Sequence, residues 1–259
     1  MRSFFYSEIN YSDLNNVEEF KTLISRYKVV CLRNIPTNIN IREFYSRFVS
    51  QLGQPANIGE DALGNSTPEH LADIKYDPQL AFTFQHSNTR QPLHTDAAYT
   101  SESADVNFLF CLQNAETGGA TIFADVDDVR IMLDSYSPAL LLETEISEVL
   151  FKKGENQSKR CKILYLSESE WRVNWNYFRL APGNPPDVLK MCNQFHDFLE
   201  DRVVGDDINF PILLKKGDSV FFHDDKVLHG RNAFEGPRHL IKGGLSLTRQ
   251  TIKSRTISE

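Results

Sequence analysis

Apolar residues over the first fifty positions recur with a helical period, broken once by a short strand. Leu14, Val17, Phe20, Ile24 and Tyr27 repeat at three- and four-residue spacing, which predicts a helix over 12–27 behind a Ser/Asp cap. Lys28-Val29-Val30-Cys31-Leu32 reads as a short buried strand closed by Asn34-Ile35-Pro36. Asn40, with Glu43 three residues on, opens a second helix whose apolar face is Ile41, Phe44, Tyr45, Phe48 and Leu52, and Gly53 ends it. From 54 to 92 the periodicity fades into a polar stretch rich in Asn, Gly and Pro. So long an irregular stretch is expected to be an active-site loop or lid, or else disordered. Strand-like runs follow at 106–112, 120–123, 161–165, 171–175, 219–222 and 240–248. One later helix opens at Pro185-Pro186 and carries Val188, Met191, Cys192, Phe195 and Leu199 on one face. This order predicts a mainly β protein with flanking helices, a sandwich or barrel with the helices packed outside.

The length of 259 residues suits one domain, expected to span 1–259. The formal net charge of −7 offers no basic surplus for a nucleic-acid partner. No run approaches the ~18 apolar residues of a membrane span. The first residues lack an apolar signal core, so a cytoplasmic chain is expected. Cys31, Cys111, Cys161 and Cys192 stand far apart in sequence. They read as small buried thiols in a reducing compartment rather than a metal pair or a disulfide framework.

Seven histidines supply the candidate chemistry. His94-Thr95-Asp96 places an imidazole and a carboxylate at i and i+2, on the same side of an extended chain. His223-Asp224-Asp225 has the same spacing. A two-histidine, one-carboxylate iron site needs a third ligand from a distant strand. For His94 and Asp96 that ligand is available in Val227-Leu228-His229-Gly230-Arg231, whereas the second pair has only His229 and His239 close behind it. Thr117-Gly118-Gly119-Ala120-Thr121 is a glycine turn with a hydroxyl after it, and as it stands it could equally be an ordinary hairpin. Arg238 could hold a carboxylate through two parallel hydrogen bonds, or lie at the surface. Between Lys226 and Thr256, seven Lys/Arg face one acid, Glu235, which favours an anionic partner near His229.

Taken in order, these residues resemble the taurine dioxygenase and γ-butyrobetaine hydroxylase family of iron(II)- and 2-oxoglutarate-dependent oxygenases. The resemblance runs from 27–55, with its Leu52-Gly53-Gln54-Pro55, through Leu93-His94-Thr95-Asp96 and the 116–121 glycine turn. It continues through Lys216-Gly217-Asp218 to His229-Gly230-Arg231 and ends at Arg238-His239-Leu240. The family implies a double-stranded β-helix, or jelly roll. It implies that His94, Asp96 and His229 bind iron(II), that Thr121 and Arg238 bind 2-oxoglutarate, and that Arg231 is structural. It implies oxidation of an unactivated C–H bond by O2, with succinate and CO2 released. Hydroxylation is the expected outcome, with desaturation or ring closure as alternatives. Leu93 stands where many relatives carry an aromatic residue, and the His229–Arg238 gap is shorter than in several of them. Asp96 argues against halogenation, which needs a small residue there. Two other classes stay open: a zinc hydrolase built on the same ligands, and a non-catalytic binding jelly roll. The expected partner is a small polar molecule. Glu60, Asp61, Glu69, Asp73 and Asp77, against Lys75 and Arg90, make the 54–92 stretch acidic, which would suit an amino acid or amine unless it is only a solvated loop. The sequence leaves the oligomeric state open.

Overall fold

The computed structural model describes residues 4–60, 66–81, 83–101, 103–206 and 208–247. Among these, two facing sheets hold the strands β1 (Phe4–Asn10), β2 (Tyr27–Arg33), β3 (Gln54–Pro55), β4 (Leu71–Lys75), β5 (Gln91–His94), β6 (Val106–Gln113), β7 (Thr121–Asp125), β8 (Phe210–Ile212), β9 (Ser219–His223), β10 (Val227–Arg231) and β11 (His239–Ser246). The larger sheet runs β1-β2-β9-β6-β11-β3, with β4 also paired to β11; the smaller runs β8-β7-β10-β5. β1 and β2 are parallel, and the other pairs are antiparallel. Five α-helices flank them: α1 (Val17–Arg26), α2 (Ile41–Leu52), α3 (Val126–Tyr136), α4 (Pro138–Ile146) and α5 (Pro186–Phe198).

Strand β6 shows how the layers form. Phe108 and Phe110 pack with Phe20, Tyr45 and Phe48 beneath α1 and α2. Leu109 and Cys111 point the other way, into a cluster shared with Phe123 of β7, Ile212 of β8, Val220 and Phe222 of β9 and Val227 of β10. An unbroken apolar run is thus buried on both faces. The smaller sheet turns Ile122, Ala124 and Leu228 outward against Val129, Leu133, Leu140 and Phe195 of α3–α5. The result is a sandwich with helices outside, and its inter-sheet layer is where β7, β10 and β11 can aim polar side chains at one another.

Several boundaries differ from the sequence expectation. α1 starts at Val17 because the Asn16 side chain accepts the Glu19 N–H; Tyr11–Asp13 forms a separate turn of 3-10 helix. The Asn40 cap and the Gly53 stop are as expected. The strand expected over 161–165 is split between two hairpins, 149–153/157–161 and 164–167/170–173. Helices α3 and α4 carry no strong sequence signal; Asp125 and Ser137 cap them. The strand expected to reach Thr248 ends at Ser246, and Thr248 lies outside the described residues.

The 54–92 stretch is not irregular throughout. Leu71–Lys75 is the edge strand β4, with Ile74 opposite Leu240. Its acids have local duties. Asp73 takes hydrogen bonds from Arg42 and His239, and Asp77 accepts the Gln79 N–H. Asp61 and the Glu60 side chain lie outside the described residues. No helix among the described residues is long and apolar enough to cross a membrane. All four cysteines are free.

Candidate active site

Strands β7 and β10 set the site by register. Phe123 stands opposite His229 and Thr121 opposite Arg231, so these four residues share the inward face. On the other side of β10, His229 is opposite His94, the last residue of β5. The chain then turns at once, and Asp96 swings beneath both rings. Backbone and side chain of Thr95 lock this turn: its N–H donates to the Trp175 carbonyl at 2.6 Å, and its Oγ1 accepts the Trp175 N–H at 3.1 Å.

His94 Nε2 lies 3.8 Å from Asp96 Oδ1, and His229 Nε2 lies 3.6 Å from Asp96 Oδ2. The two imidazoles face each other with ring centroids 4.3 Å apart. One donor atom from each of the three residues falls within 4.8 Å of the others, the one such group of three among the described residues. The Nδ1–H of His94 donates to the Pro92 carbonyl at 2.9 Å, which leaves Nε2 as a lone-pair donor toward the cluster. Burial pushes His94 down and His229 down to about 3, so both rings are neutral near pH 7. Burial alone would raise the Asp96 carboxyl, but Lys242, His229 and His94 outweigh it and hold the group well below the usual carboxylate range. Two neutral imidazoles and one ionised carboxylate result.

The larger sheet reaches the same carboxylate. Lys242 Nζ of β11 sits 2.7 Å from Asp96 Oδ2, and Asn107 Nδ2 of β6 donates to that oxygen at 2.9 Å. Gln91 Nε2 lies 3.2 Å from His94 Nε2. Asp224, in the turn between β9 and β10, accepts the N–H groups of Asp96 and Ala97, each at 3.0 Å. Burial, followed by repulsion from Asp96, pushes its carboxyl up, against the two backbone N–H groups that favour its ionised form. None of these four was a sequence candidate. The usable signal for Lys242 and Asn107 was a polar residue inside an otherwise apolar strand run.

The second His-x-Asp pair is used elsewhere. His223 Nε2 donates to the Ile24 carbonyl at 2.8 Å, and Asp225 pairs with Arg172. Arg231 is tied to the chain ahead of β5, donating to the carbonyls of Phe84 and Thr89 and to Ser87 Oγ. Arg238 behaves differently. It is only 7% exposed, yet among the described residues its guanidinium meets no hydrogen-bond acceptor. Burial, with Arg231 nearby, pushes it down to about 10. Gly119 makes the room: its φ is +75°, and a Cβ there would lie 3.3 Å from Arg238 Cδ and 3.2 Å from Phe234 Cβ. Thr121 is buried on β7, two residues beyond that glycine.

The taurine catabolism dioxygenase TauD, TfdA family matches residues 3–243 of the chain. The chain belongs to this family. Its relatives include the dioxygenase str8 of Strobilurus tenacellus, 27% identical over 159 residues, which covers 58% of this chain and 36% of that protein. The mitochondrial trimethyllysine dioxygenase of Bos taurus is 28% identical over 171 residues, 61% of this chain and 40% of that one. The matched segments thus span less than half of either relative. Among solved structures, PvcB of Pseudomonas aeruginosa superposes with a TM-score of 0.68 at 15% identity, over 94% of this chain and 87% of that one. The non-heme iron oxygenase OrfP, solved with Fe and alpha-ketoglutaric acid, superposes at 0.65 with 17% identity, over 89% and 78%.

Proposed function

We propose that this protein is an Fe(II)- and 2-oxoglutarate-dependent dioxygenase that hydroxylates an unactivated C–H bond of a small polar molecule, on a single double-stranded β-helix (jelly roll) unit. The observation that carries the proposal is a neutral His–carboxylate–His group in the inter-sheet layer together with a buried arginine that lacks a counterion. The donor set of His94, Asp96 and His229 fits iron(II), which accepts two imidazoles and a carboxylate and keeps open positions. A buried guanidinium without an acceptor fits a dicarboxylate, which it would grip through paired hydrogen bonds. The Thr121 hydroxyl would give that ligand a second anchor. When bound, the iron and 2-oxoglutarate supply the oxidising power by activating O2, with release of succinate and CO2.

The chain's own part is to bind, orient and exclude water. Phe222 and Phe123 flank His229 at centroid distances of 4.7 and 6.4 Å and keep that side of the site dry. Lys242 pairs with the Asp96 carboxylate, and a divalent cation held by His94, Asp96 and His229 would compete with it for that charge. Lys242 then offers a cation to the acid group of an incoming substrate. An amino acid meets this requirement. OrfP has been solved with a hydroxy-arginine, and trimethyllysine dioxygenase is named for an amino acid. The 54–92 acids give little support to a bare amine, because Asp73 and Asp77 are engaged locally. Free cysteines fit a reducing compartment such as the cytoplasm.

The test is succinate release, under iron(II), 2-oxoglutarate and O2, across a panel of free amino acids, amines, sulfonates and carrier-bound acids. Stimulation by free amino acids is expected. Stimulation only by amines lacking an acid group would overturn the role of Lys242. Absence of succinate with every compound, and without one, would overturn the oxygenase itself.

A further inference from the structure

We infer that Asp224 is the positioning carboxylate of the metal site, setting both Asp96 and His229 from one buried acid. The inference rests on the iron-site reading above and adds a residue that the resemblance did not supply.

Asp224 lies in the turn that joins β9 to β10, five residues before His229, and is almost fully buried. Its Oδ1 accepts the N–H of Asp96 and its Oδ2 the N–H of Ala97. The backbone that aims the Asp96 side chain is therefore held at two consecutive amides. The same Oδ1 stands 3.8 Å from His229 Nδ1. That ring nitrogen is buried and has no hydrogen-bond partner. His229 Nε2 faces Asp96 and the partner imidazole, so a neutral ring offering its Nε2 lone pair carries its hydrogen on Nδ1. Asp224 is the acceptor that hydrogen requires. Metal-bound imidazoles generally donate their second N–H to a carboxylate, carbonyl or water, which fixes both tautomer and ring plane.

The chemistry demands an acid here rather than an amide of the same shape. Asp224 faces three N–H donors and offers only acceptor oxygens. Asparagine has one carbonyl oxygen and one NH2 group. Either the Ala97 amide or the Asp96–His229 side would then meet a donor. Asp224→Asn is thus nearly isosteric and chemically wrong, which separates positioning from space-filling.

The experiment titrates the metal-free protein with Co(II) in the absence of 2-oxoglutarate, following the visible absorption of the bound ion, for wild type and Asp224→Asn. In parallel, 15N NMR of the Zn(II)-loaded wild type reads the His229 tautomer. A 10- to 100-fold loss of Co(II) affinity is expected for the variant, as for other partners of metal-bound histidines. The Zn(II)-loaded wild type should show a protonated Nδ1 and a metal-bound Nε2 at His229. Equal Co(II) affinity in the two proteins would overturn the inference while leaving the iron site intact. So would metal on Nδ1 in the wild type, which needs no variant to fold. Failure of wild type to bind Co(II) or Zn(II) would instead overturn the iron-site reading, and the role of Asp224 with it.

Discussion

Arg238→Met is expected to move stability and cosubstrate binding in opposite directions. The guanidinium is buried, and burial takes its pKa from 12.5 to about 10. That drop corresponds to about 3 kcal/mol against the charged form in the folded chain, at ~1.36 kcal/mol per unit. The sign follows from proton binding: below pH 10 the folded chain carries a cation that the unfolded chain carries in water. Methionine fills much of the same volume without the charge, so the ligand-free variant should unfold at the same temperature as wild type or higher, with ~3 kcal/mol as the ceiling. Binding should go the other way. A hydrogen bond to a charged group contributes about 1.5–3 kcal/mol, so the Kd for 2-oxoglutarate should rise roughly 10- to 150-fold. Differential scanning calorimetry of the ligand-free proteins reads the first effect. Calorimetric titration of the Zn(II)-loaded proteins with 2-oxoglutarate reads the second. A Kd within twofold of wild type would move the carboxylate contact elsewhere, with Arg231 the next cation to test. A clear fall in unfolding temperature would show that the guanidinium has an acceptor after all.

Three further outcomes follow from individual residues. Gly119→Ala places a Cβ at a φ of +75° against the Arg238 stem, so it should cost on the order of 1–2 kcal/mol and raise the KM for 2-oxoglutarate; an unchanged KM in steady-state assays would separate the glycine turn from cosubstrate binding. His223 is buried with its pKa pushed down to about 4, below the ordinary 6.5, so the unfolded chain binds the extra proton and the stability tied to this group is lost as pH falls from about 6.5 toward 4, by about 3 kcal/mol. Urea unfolding should show His223→Gln with a flatter acid limb than wild type, and parallel limbs would contradict this. Phe221→Ala empties a site packed by Phe20 and Phe108 at centroid distances of 4.9 and 5.2 Å and should destabilise by about 3–5 kcal/mol; a loss under 1 kcal/mol in the same assay would mean the layer collapses to fill the gap.

The triad was legible because its parts sit in short motifs whose order along the chain is informative. His94 and Asp96 are two residues apart, and His229 lies in a separate segment, Val227-Leu228-His229-Gly230-Arg231. The second helix was legible because its ends are set locally: the Asn40 side chain accepts the Glu43 N–H, and the chain leaves the helix at Gly53. What escaped depends on strand pairing. Lys242 and Asn107 look like stray polar residues until the β6–β11 register puts both on the inward face, against Asp96. Asp224 was weighed only as part of a rival His-x-Asp pair, and its contact with the Asp96 turn spans more than a hundred residues. Strand β4 was hidden because an edge strand needs no strong apolar run, and β5 because Pro92 interrupts its pattern. Helix α4 spreads Glu143, Thr144 and Glu145 around its circumference, buries Thr144 and exposes Leu142 and Ile146, so its period gave no face to read.

The most direct measurement is an anaerobic titration of the metal-free protein with iron(II) and 2-oxoglutarate, followed by visible absorption, for wild type and Asp96→Ala side by side. Wild type should develop a metal-to-ligand charge-transfer band that saturates at one equivalent of each. The band should bleach with succinate release when O2 is admitted, and Asp96→Ala should show neither change. Absence of the band and of 2-oxoglutarate binding in wild type, or an identical response from Asp96→Ala, would contradict the oxygenase site described above.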